Sequence, residues 1–237
     1  MSALFLYNIP MKNIVVAFNY VEFQDPKKAN RQAVAMEVMA EAPLWLFPIS
    51  YGFYHSPKTP LRLPTRIPFL DLLYRDSRSE IGNNRDLPYI KEILNLASET
   101  AYDIIGYVNS DILLGEKFLE TIQKEADAFI FSRSDIVETS PSKFLKGDFK
   151  VIYGGDQHIG ADGFFFNRDW WINNRNLFPD DLIIGATEWD TVYRTVIKRS
   201  GANYIEKRVL YHVYHNQTWT TKSPEALNNI AIWEKVK

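Results

Sequence analysis

The chain has 237 residues, of which 46% are hydrophobic and 24% are charged. This composition is typical of globular proteins and excludes a disordered chain, a collagen-like chain and a pure coiled coil. The 27 basic and 29 acidic residues leave a net charge of −2, so no global positive field attracts nucleic acid or acidic membranes. Because there is no cysteine, disulfides, thiolate metal sites and cysteine nucleophiles are excluded.

The length and the N-terminal segment bear on organisation and location. A chain of 237 residues often folds as one domain, so we expect a single domain over residues 1–237. No run of apolar residues is long enough for a membrane-spanning helix. The first ten residues lack the basic region and small-residue cleavage site of a secretion signal. We therefore expect a cytoplasmic protein.

Strand and helix patterns alternate along the chain. Short continuous apolar runs are typical of strands buried on both faces, and apolar residues at helical spacing lie between them. The expected strands cover residues 14–18, 44–49, 103–109, 128–132 and 209–214, and residues 164–167 and 182–184 are further short apolar runs. The expected helices cover residues 28–41, 87–98, 115–126, 187–199 and about 223–235. This alternation predicts an α/β fold with a mainly parallel sheet, whose ligands bind at the carboxyl ends of the strands.

The motif Asn109-Ser110-Asp111 comes directly after Val108, at the carboxyl end of the expected strand. An Asn and an Asp two residues apart at a strand end can aim both side-chain oxygens in one direction. Hard cations such as Mg²⁺ and Mn²⁺ take such oxygen ligands and share them with substrate phosphates. The alternative is a turn, since Asn, Ser and Asp are ordinary turn residues. Asp111 would then favour the N-terminus of the next helix.

A glycine-rich segment over residues 154–163 precedes three consecutive phenylalanines. Its glycines allow positive φ and a close approach of the backbone to a ligand. Glycines alone are more typical of a flexible surface loop. Asp156, His158 and Asp162 within the segment favour a functional role.

Two carboxylates lie at the expected start of a helix. Thr187 is a candidate N-cap, and Glu188 and Asp190 then fall in the first turn, where the helix dipole stabilises carboxylates. Such acids are routine at helix starts. The functional interpretation is a general base, or a carboxylate that holds an acceptor hydroxyl.

Two histidines lie at the end of the last expected strand. His212 and His215 are three residues apart, so on a regular strand they point to opposite faces. We therefore do not expect them to bind one metal together unless the chain bends. In the functional interpretation, one histidine binds a metal and the other contacts a phosphate or an acceptor. The alternative is that a histidine here has only a structural role.

Several arginines precede or follow the expected strands, and any of them could pair with a diphosphate. Arg133 follows a strand, and Arg85 precedes the helix that leads into the Asn-Ser-Asp strand, so these two are the leading candidates. The full set is Arg31, Arg75, Arg78, Arg85 and Arg133.

The four motifs, in this order, resemble the GT-A class of nucleotide-sugar-dependent glycosyltransferases. That class has a DxD-type metal motif after a central strand, a glycine-rich acceptor loop, an acidic motif at a helix start and a late-strand histidine. The segments YVNSDILL, GADGFFF and WD follow one another in this order. In this respect the sequence resembles a set of uncharacterised GT-A-like proteins with an NSD metal motif. The resemblance spans residues 13–216. It implies a nucleotide-binding half over about 13–133 and an acceptor-binding half over about 134–237.

The resemblance also implies roles for individual residues and a transfer of sugar from a nucleotide-diphosphate sugar, with UDP as the expected nucleotide, to an acceptor hydroxyl. Asp111, Asn109 and His212 would bind Mn²⁺ or Mg²⁺. Asp190 would be the catalytic base, with Glu188 at the acceptor. The donor would contact Asn19, Tyr20, Glu22, Arg31, Arg85, Asn109, Ser110 and Arg133. The acceptor would contact Asp162, Gly163, Trp189 and His215, close to Trp170 and Trp171, because aromatic rings stack on sugar faces.

Two departures from the class keep alternatives open. The acidic motif is Glu188-Trp189-Asp190 instead of Glu-Asp, so the base could be Glu188 or Asp190. Asn109 stands where the class has an Asp, which weakens the metal site and leaves a non-catalytic nucleotide-sugar-binding protein as one alternative. A nucleotidyltransferase is another, although residues 18–28 lack the glycine-rich loop of such enzymes. The acceptor stays open among a glycan, a lipid-linked sugar, a protein and a modified nucleic-acid base, the last disfavoured by the mild acidity.

Overall fold

The computed structural model describes residues 11–21, 23–53, 63–82, 85–152, 160–215 and 220–237. Within them the chain forms eight strands and eight α-helices. The strands are β1 (Ile14–Asn19), β2 (Leu46–Phe53), β3 (Phe69–Leu73), β4 (Ile104–Val108), β5 (Ile112–Leu114), β6 (Ala128–Ile136), β7 (Gly163–Asn167) and β8 (Tyr204–Val213). The helices are α1 (Pro26–Ala40), α2 (Ser77–Ile81), α3 (Ile90–Ser98), α4 (Glu116–Ile122), α5 (Pro141–Leu145), α6 (Arg168–Asn174), α7 (Trp189–Arg199) and α8 (Pro224–Val236).

All eight strands belong to one sheet, in the order β3-β2-β1-β4-β7-β6-β8-β5. Strands β1 to β4 are mutually parallel, and β6 and β8 are parallel to each other. Strand β7 is antiparallel to both β4 and β6, and β5 is antiparallel to β8. Six strands therefore run in one direction, which confirms the mainly parallel α/β fold.

Helices cover both faces of the sheet. Alternate residues of β1 face opposite sides: Val15 and Ala17 pack in a core with α3 and α7, whereas Val16 and Phe18 pack in a core with α1 and α4. Because both faces are buried, the strand is apolar at every position, as expected for a central parallel strand. Ser223 caps α8 by accepting a hydrogen bond from the Ala226 amide at 3.4 Å, as its position before Pro224 indicates.

The structure adds elements that the pattern of the sequence does not reveal. Strands β3 and β5 and helices α2, α5 and α6 are short, so they carry too few residues for a periodic signal. Strand β8 begins at Tyr204, five residues earlier than expected. Its first half pairs with β6, and no described strand pairs with its other side. These residues are mostly polar, so they give no apolar signal in the sequence. The apolar run 182–184 is not a strand; Ile183 makes only an isolated bridge to Tyr89.

The carboxyl ends of the parallel strands meet at one edge of the sheet. Val108, at the end of β4, pairs with Gly163 at the start of the antiparallel β7, and Gly163 pairs with Phe131 of β6. Strands β6 and β8 continue past this point, and β5 pairs with the far side of β8 there, so the extension has three strands. No helix in the described ranges is both long and apolar enough to cross a membrane.

Candidate functional site

A chain of side-chain contacts runs along this edge and joins four strand ends. Asn109 follows β4, and its Nδ2 donates to Oδ1 of Asp162, just before β7, at 3.2 Å. Nη1 of Arg133, on β6, donates to the same Oδ1 at 2.6 Å, and Nε of Arg133 lies 3.4 Å from Oδ1 of Asp135. Asp135 in turn lies 2.9 Å from Nδ1 of His212, on β8. The predicted metal motif and the predicted late histidine are therefore linked through β6.

A β-bulge in β8 sets the facing of Asp135 and His212. Ser132 pairs with Arg208, but Arg133 pairs with Leu210, so Val209 is an extra residue in β8. Beyond the bulge, Asp135 pairs with His212. Because successive side chains alternate between faces, the bulge shifts His212 to the face of β8 that Asp135 shares.

Asp111 completes the site on the other side of His212. Its Oδ2 lies 3.2 Å from Nε2 of His212, because β5 follows directly and pairs Ile112 with His212. Burial alone would raise the pKa of Asp111, but the hydrogen bond from His212 and the charges of His212 and Arg133 lower it to about 2. Burial alone would lower the pKa of His212, but its hydrogen bonds with Asp111 and Asp135 outweigh it and raise that pKa.

His215 joins the same cluster, contrary to the expectation from a regular strand. Strand β8 ends at Val213, so the chain is free to turn, and the two imidazole rings lie 4.9 Å apart. One ligand atom from each of Asp111, His212 and His215 lies within 4.8 Å of the others. At this spacing a carboxylate oxygen and two imidazole nitrogens are candidate ligands of one ion.

The donor set of this cluster fits a divalent cation. A carboxylate accepts hydrogen bonds, so Asp135 holds the proton on Nδ1 of His212. A cation bound at Nε2 would replace the proton that Nε2 shares with Asp111. Carboxylate–histidine pairs of this kind orient metal-binding imidazoles in proteins. The two imidazole nitrogens suit a first-row transition-metal ion better than Mg²⁺, which takes oxygen ligands, and the carboxylate oxygen also suits Mn²⁺.

Asn109 has a different environment from Asp111. Its amide oxygen lies 3.3 Å from the Tyr107 hydroxyl, which donates to it, and its amide nitrogen donates to Asp162. The Tyr107 hydroxyl also lies 3.4 Å from Oδ1 of Asn19, at the end of β1. Asn109 is therefore linked to Asp162 beside β7 and, through Tyr107, to Asn19 on β1. Its predicted role as a metal ligand stays a prediction. Ser110 beside it is 9% exposed.

The start of α7 holds the two candidate catalytic carboxylates. Helix α7 begins at Trp189, so Glu188 occupies the N-cap position and the prediction of Thr187 as N-cap is wrong. Glu188 has φ of 68°, and it is the one non-glycine residue with positive φ among those described. Asp190 lies in the first turn, and its Oδ2 accepts a hydrogen bond from the Ala161 amide at 3.0 Å. Ala161 directly precedes Asp162, so Asp190 is tied to the same edge.

Burial raises the pKa of Asp190, although the hydrogen bond from the Ala161 amide opposes this effect. The carboxyl is half-buried, not enclosed. A raised pKa makes a carboxylate a stronger base, which is the property that proton abstraction needs.

The segment after β1 is held in place by a buried side chain. Gln32, on α1, accepts a hydrogen bond from the Val21 amide at 3.0 Å and donates to the Val21 carbonyl at 2.8 Å. This pair fixes the backbone next to Tyr20, a predicted donor-binding residue. Arg31 is partly buried, and its Nε has no hydrogen-bond partner in the described chain. Glu22 lies outside the described residues.

The two leading arginine candidates have carboxylate partners. Arg133 is 6% exposed and lies between Asp162, which is buried, and Asp135, which is partly exposed. The expectation that it contacts the donor diphosphate needs correction, because its guanidinium pairs with these two carboxylates. Arg85 is more accessible; its Nη2 lies 2.9 Å from Oε1 of Glu225 and 3.3 Å from the Gly185 carbonyl. A donor contact of Arg85 stays a prediction.

The predicted acceptor residues are largely buried. Trp189 is 4% exposed and packs edge-on against Tyr107 and Phe164 at 5.9 and 5.5 Å, so it is a core residue with no free face. Asp162 is 3% exposed and ion-paired with Arg133. A Cβ on Gly163 would lie 3.0 Å from Leu210 and 3.1 Å from Val108, so this glycine is required by packing.

The other two tryptophans of the predicted acceptor site, Trp170 and Trp171, lie at the amino ends of the parallel strands. Helix α6 follows Asn167, which pairs with Ile104 at the amino end of β4. Trp171 is completely buried, and Trp170 stacks on Phe166 at 5.8 Å. The expectation that Trp170 and Trp171 line an acceptor site with Asp190 is therefore wrong. Residues 153–159 of the glycine-rich segment, with Asp156 and His158, lie outside the described residues.

Three contributors to this site escape sequence reasoning. Asp135 lies two residues after Arg133, and this spacing on one strand face is the signal that could have found it. Gln32 and Asn229 act through hydrogen bonds to distant backbone, which leaves no trace in spacing or periodicity.

Comparison with known proteins supports the fold. No family model and no curated protein matches the chain by sequence. Among solved structures, S. aureus TarS 1-349 in complex with UDP-GlcNAc is similar, with a TM-score of 0.52 and 12% identity over 90% of this chain. A second structure of S. aureus TarS 1-349 has a TM-score of 0.49 and 10% identity over 85% of this chain. The chain spans 60% and 61% of the length of these two structures. The fold is a GT-A-like α/β domain with helices on both faces of the sheet.

Proposed function

We propose that this chain is a glycosyltransferase that moves a sugar from a nucleoside-diphosphate sugar to an acceptor hydroxyl. The observation that carries the proposal is the cluster of Asp111, His212 and His215 at the carboxyl edge of a GT-A-like sheet. In α/β sheets this edge is where ligands bind. The similar TarS structure contains UDP-GlcNAc, which supports a UDP-linked sugar as the donor.

The cluster would hold Mn²⁺ through Asp111, His212 and His215. A divalent cation bound there supplies a Lewis acid for the oxygens of the departing diphosphate. The protein's own contribution is orientation: Asp135 holds His212, and β5 holds Asp111 against it.

Asp190 is the proposed base. In the transfer step it accepts the proton of the acceptor hydroxyl as the acceptor oxygen bonds to the anomeric carbon. The bond from that carbon to the diphosphate oxygen breaks, and the diphosphate leaves with the electron pair. The raised pKa of Asp190 and its tie to Ala161 suit this role. Glu188, two residues before Asp190 in the chain, would bind the acceptor.

A thermal-shift screen of nucleotide sugars, with and without Mn²⁺, tests the proposal. A true donor at 100 times its Kd should stabilise the fold by about 2.7 kcal/mol. The donor found in this way is then tested for sugar transfer to glycan, lipid-linked and protein acceptors, and for hydrolysis. Metal-dependent donor binding without transfer or hydrolysis would identify a non-catalytic binding protein instead. No binding of any nucleotide sugar contradicts the proposal.

A further inference from the structure

We propose that Asn229, on the last helix, is a positioning residue that holds the turn before α7 in the conformation that places Glu188 and Asp190 at the site. This inference deepens the proposed function and rests on it, because it concerns the geometry of the two carboxylates assigned to the acceptor. Asn229 lies far along the chain from both, in a segment that no motif marks.

The side chain of Asn229 is completely buried and makes three hydrogen bonds to the turn. Its Oδ1 accepts from the Ile183 amide at 3.0 Å, and its Nδ2 donates to the Ile183 carbonyl at 2.8 Å and to the Thr187 carbonyl at 3.0 Å. The side-chain amide thus pairs with both ends of the segment 183–187. Because buried carbonyls need donors, removal of Asn229 leaves these groups unpaired.

The bond to Thr187 matters because Thr187 directly precedes the one strained residue of the described chain. Glu188 has φ of 68°, a left-handed conformation that its Cβ disfavours. Such a conformation persists only where the surroundings over-determine it. Gly185, with φ of 79°, supplies the chain reversal before it, and Asn229 fixes the carbonyl between the two.

The conformation of Glu188 controls where Asp190 lies. The Glu188 carbonyl accepts the first hydrogen bond of α7, from the Val192 amide at 3.0 Å. The direction of the first turn, and with it the position of the Asp190 carboxylate, therefore follows from the backbone of Glu188. Displacement of a catalytic group by about 1 Å can lower turnover by about 10²-fold.

A second contact joins the same helix to the same turn. Glu225, 6% exposed at the start of α8, pairs with Arg85, and Arg85 also donates to the Gly185 carbonyl. The first turns of α8 thus hold the turn at Gly185 and at Thr187. Asn228 offers a control that keeps all three bonds from Asn229 to the turn. Its Nδ2 donates to the Asp181 carbonyl at 2.7 Å, before the turn, and makes only a long contact of 3.4 Å with Oδ1 of Asn229.

The kinetic test compares Asn229→Ala with Asn228→Ala, using the donor found by the thermal-shift screen. We expect Asn229→Ala to lower turnover by about 10²-fold with donor affinity unchanged, and Asn228→Ala to leave both unchanged. A merely structural role would change both variants alike or weaken donor binding as well. Normal turnover in Asn229→Ala, or equal losses in the two variants, overturns the proposal.

A thermodynamic cycle tests the mechanism without activity and with a second variant. Asn229→Asp keeps the acceptor for the Ile183 amide and removes the donors to Ile183 and Thr187. Glu188→Gly relieves the left-handed strain, so it should raise the unfolding temperature of the wild type. If Asn229 imposes that strain, the gain is smaller in the Asn229→Asp background. An equal gain in both backgrounds overturns the proposal.

The failure of the proposed function can be told apart from the failure of this inference. A wild type that transfers no sugar refutes the proposed function, and the cycle still decides whether Asn229 holds the turn.

Discussion

Asp135 and His212 pair across β6 and β8 with Oδ1 and Nδ1 2.9 Å apart. The bulge at Val209 brings them to one face, because without the extra residue Asp135 would pair with Tyr211. The imidazole is thereby held between two carboxylates, Asp135 behind it and Asp111 in front.

Asp135→Asn is expected to weaken Mn²⁺ binding by about 10- to 100-fold. The amide no longer carries the charge that orients the imidazole and raises its basicity. Electron paramagnetic resonance of free Mn²⁺ during a titration of the protein measures this affinity. The matched control is Asp148→Asn, an exposed carboxylate outside the site. Equal Mn²⁺ affinity in wild type and Asp135→Asn would remove Asp135 from the site.

Asp190→Asn is expected to lower turnover by about 10²–10⁴-fold while donor binding stays intact, as for loss of a general base. Steady-state rates and donor titration check the two parts separately. If Asp190→Asn transfers sugar normally while Glu188→Gln is inactive, the two roles are reversed. If neither change lowers turnover, both are ordinary helix-start acids.

The pH dependence of turnover gives a second test of Asp190. Burial raises its pKa, with the Ala161 amide opposing. A base must be ionised, so turnover should rise as the pH increases through this pKa. The acid limb then lies at higher pH than for an ordinary aspartate, and Asp190→Asn should abolish it. An unchanged acid limb in this variant would assign the limb to another group.

Substitutions at Glu188 should separate strain from chemistry. With φ of 68°, any residue with a Cβ is disfavoured there, by roughly 1–2 kcal/mol relative to glycine. Glu188→Gly should therefore be more stable than Glu188→Ala by about that amount, measured by urea denaturation. Equal stabilities would show that the turn is relaxed in solution.

Arg133→Met should be strongly destabilising. Arg133 and Asp162 are a buried pair, with side chains 6% and 5% exposed at 2.6 Å. Removal of one partner of such a pair costs about 3–5 kcal/mol, because the other charge is left buried and uncompensated. The double variant Arg133→Met, Asp162→Asn should regain part of this loss in denaturant unfolding. A single variant as stable as wild type would contradict the burial of the charge.

The sequence predicts much of the fold and only part of the site. Long periodic or continuous apolar segments, such as β1 and α7, follow from local pattern. The identities of Asp111, His212 and Asp190 also follow from their positions at strand ends and a helix start. The contacts of His212 cannot be predicted in this way. Its contact with His215 depends on the end of β8 at Val213, and its contact with Asp135 depends on a one-residue bulge.

Burial is the other quantity that local pattern leaves open. Trp189, Arg133 and Asp162 have the residue types of a ligand site, yet each is almost completely buried. A polar or aromatic residue near a strand end serves the core or the ligand according to the packing of distant elements, which single-sequence spacing does not encode.

The most direct test of the central claim is a calorimetric titration of a UDP-sugar, with and without Mn²⁺, into wild type and Asp111→Ala. Asp111 lies beside both imidazoles, and its pKa of about 2 keeps the carboxylate ionised at neutral pH. We expect wild type to bind the donor in a Mn²⁺-dependent manner and Asp111→Ala to lose that dependence. Asp111→Ala that binds the donor with Mn²⁺ as tightly as wild type would contradict the assignment of this site.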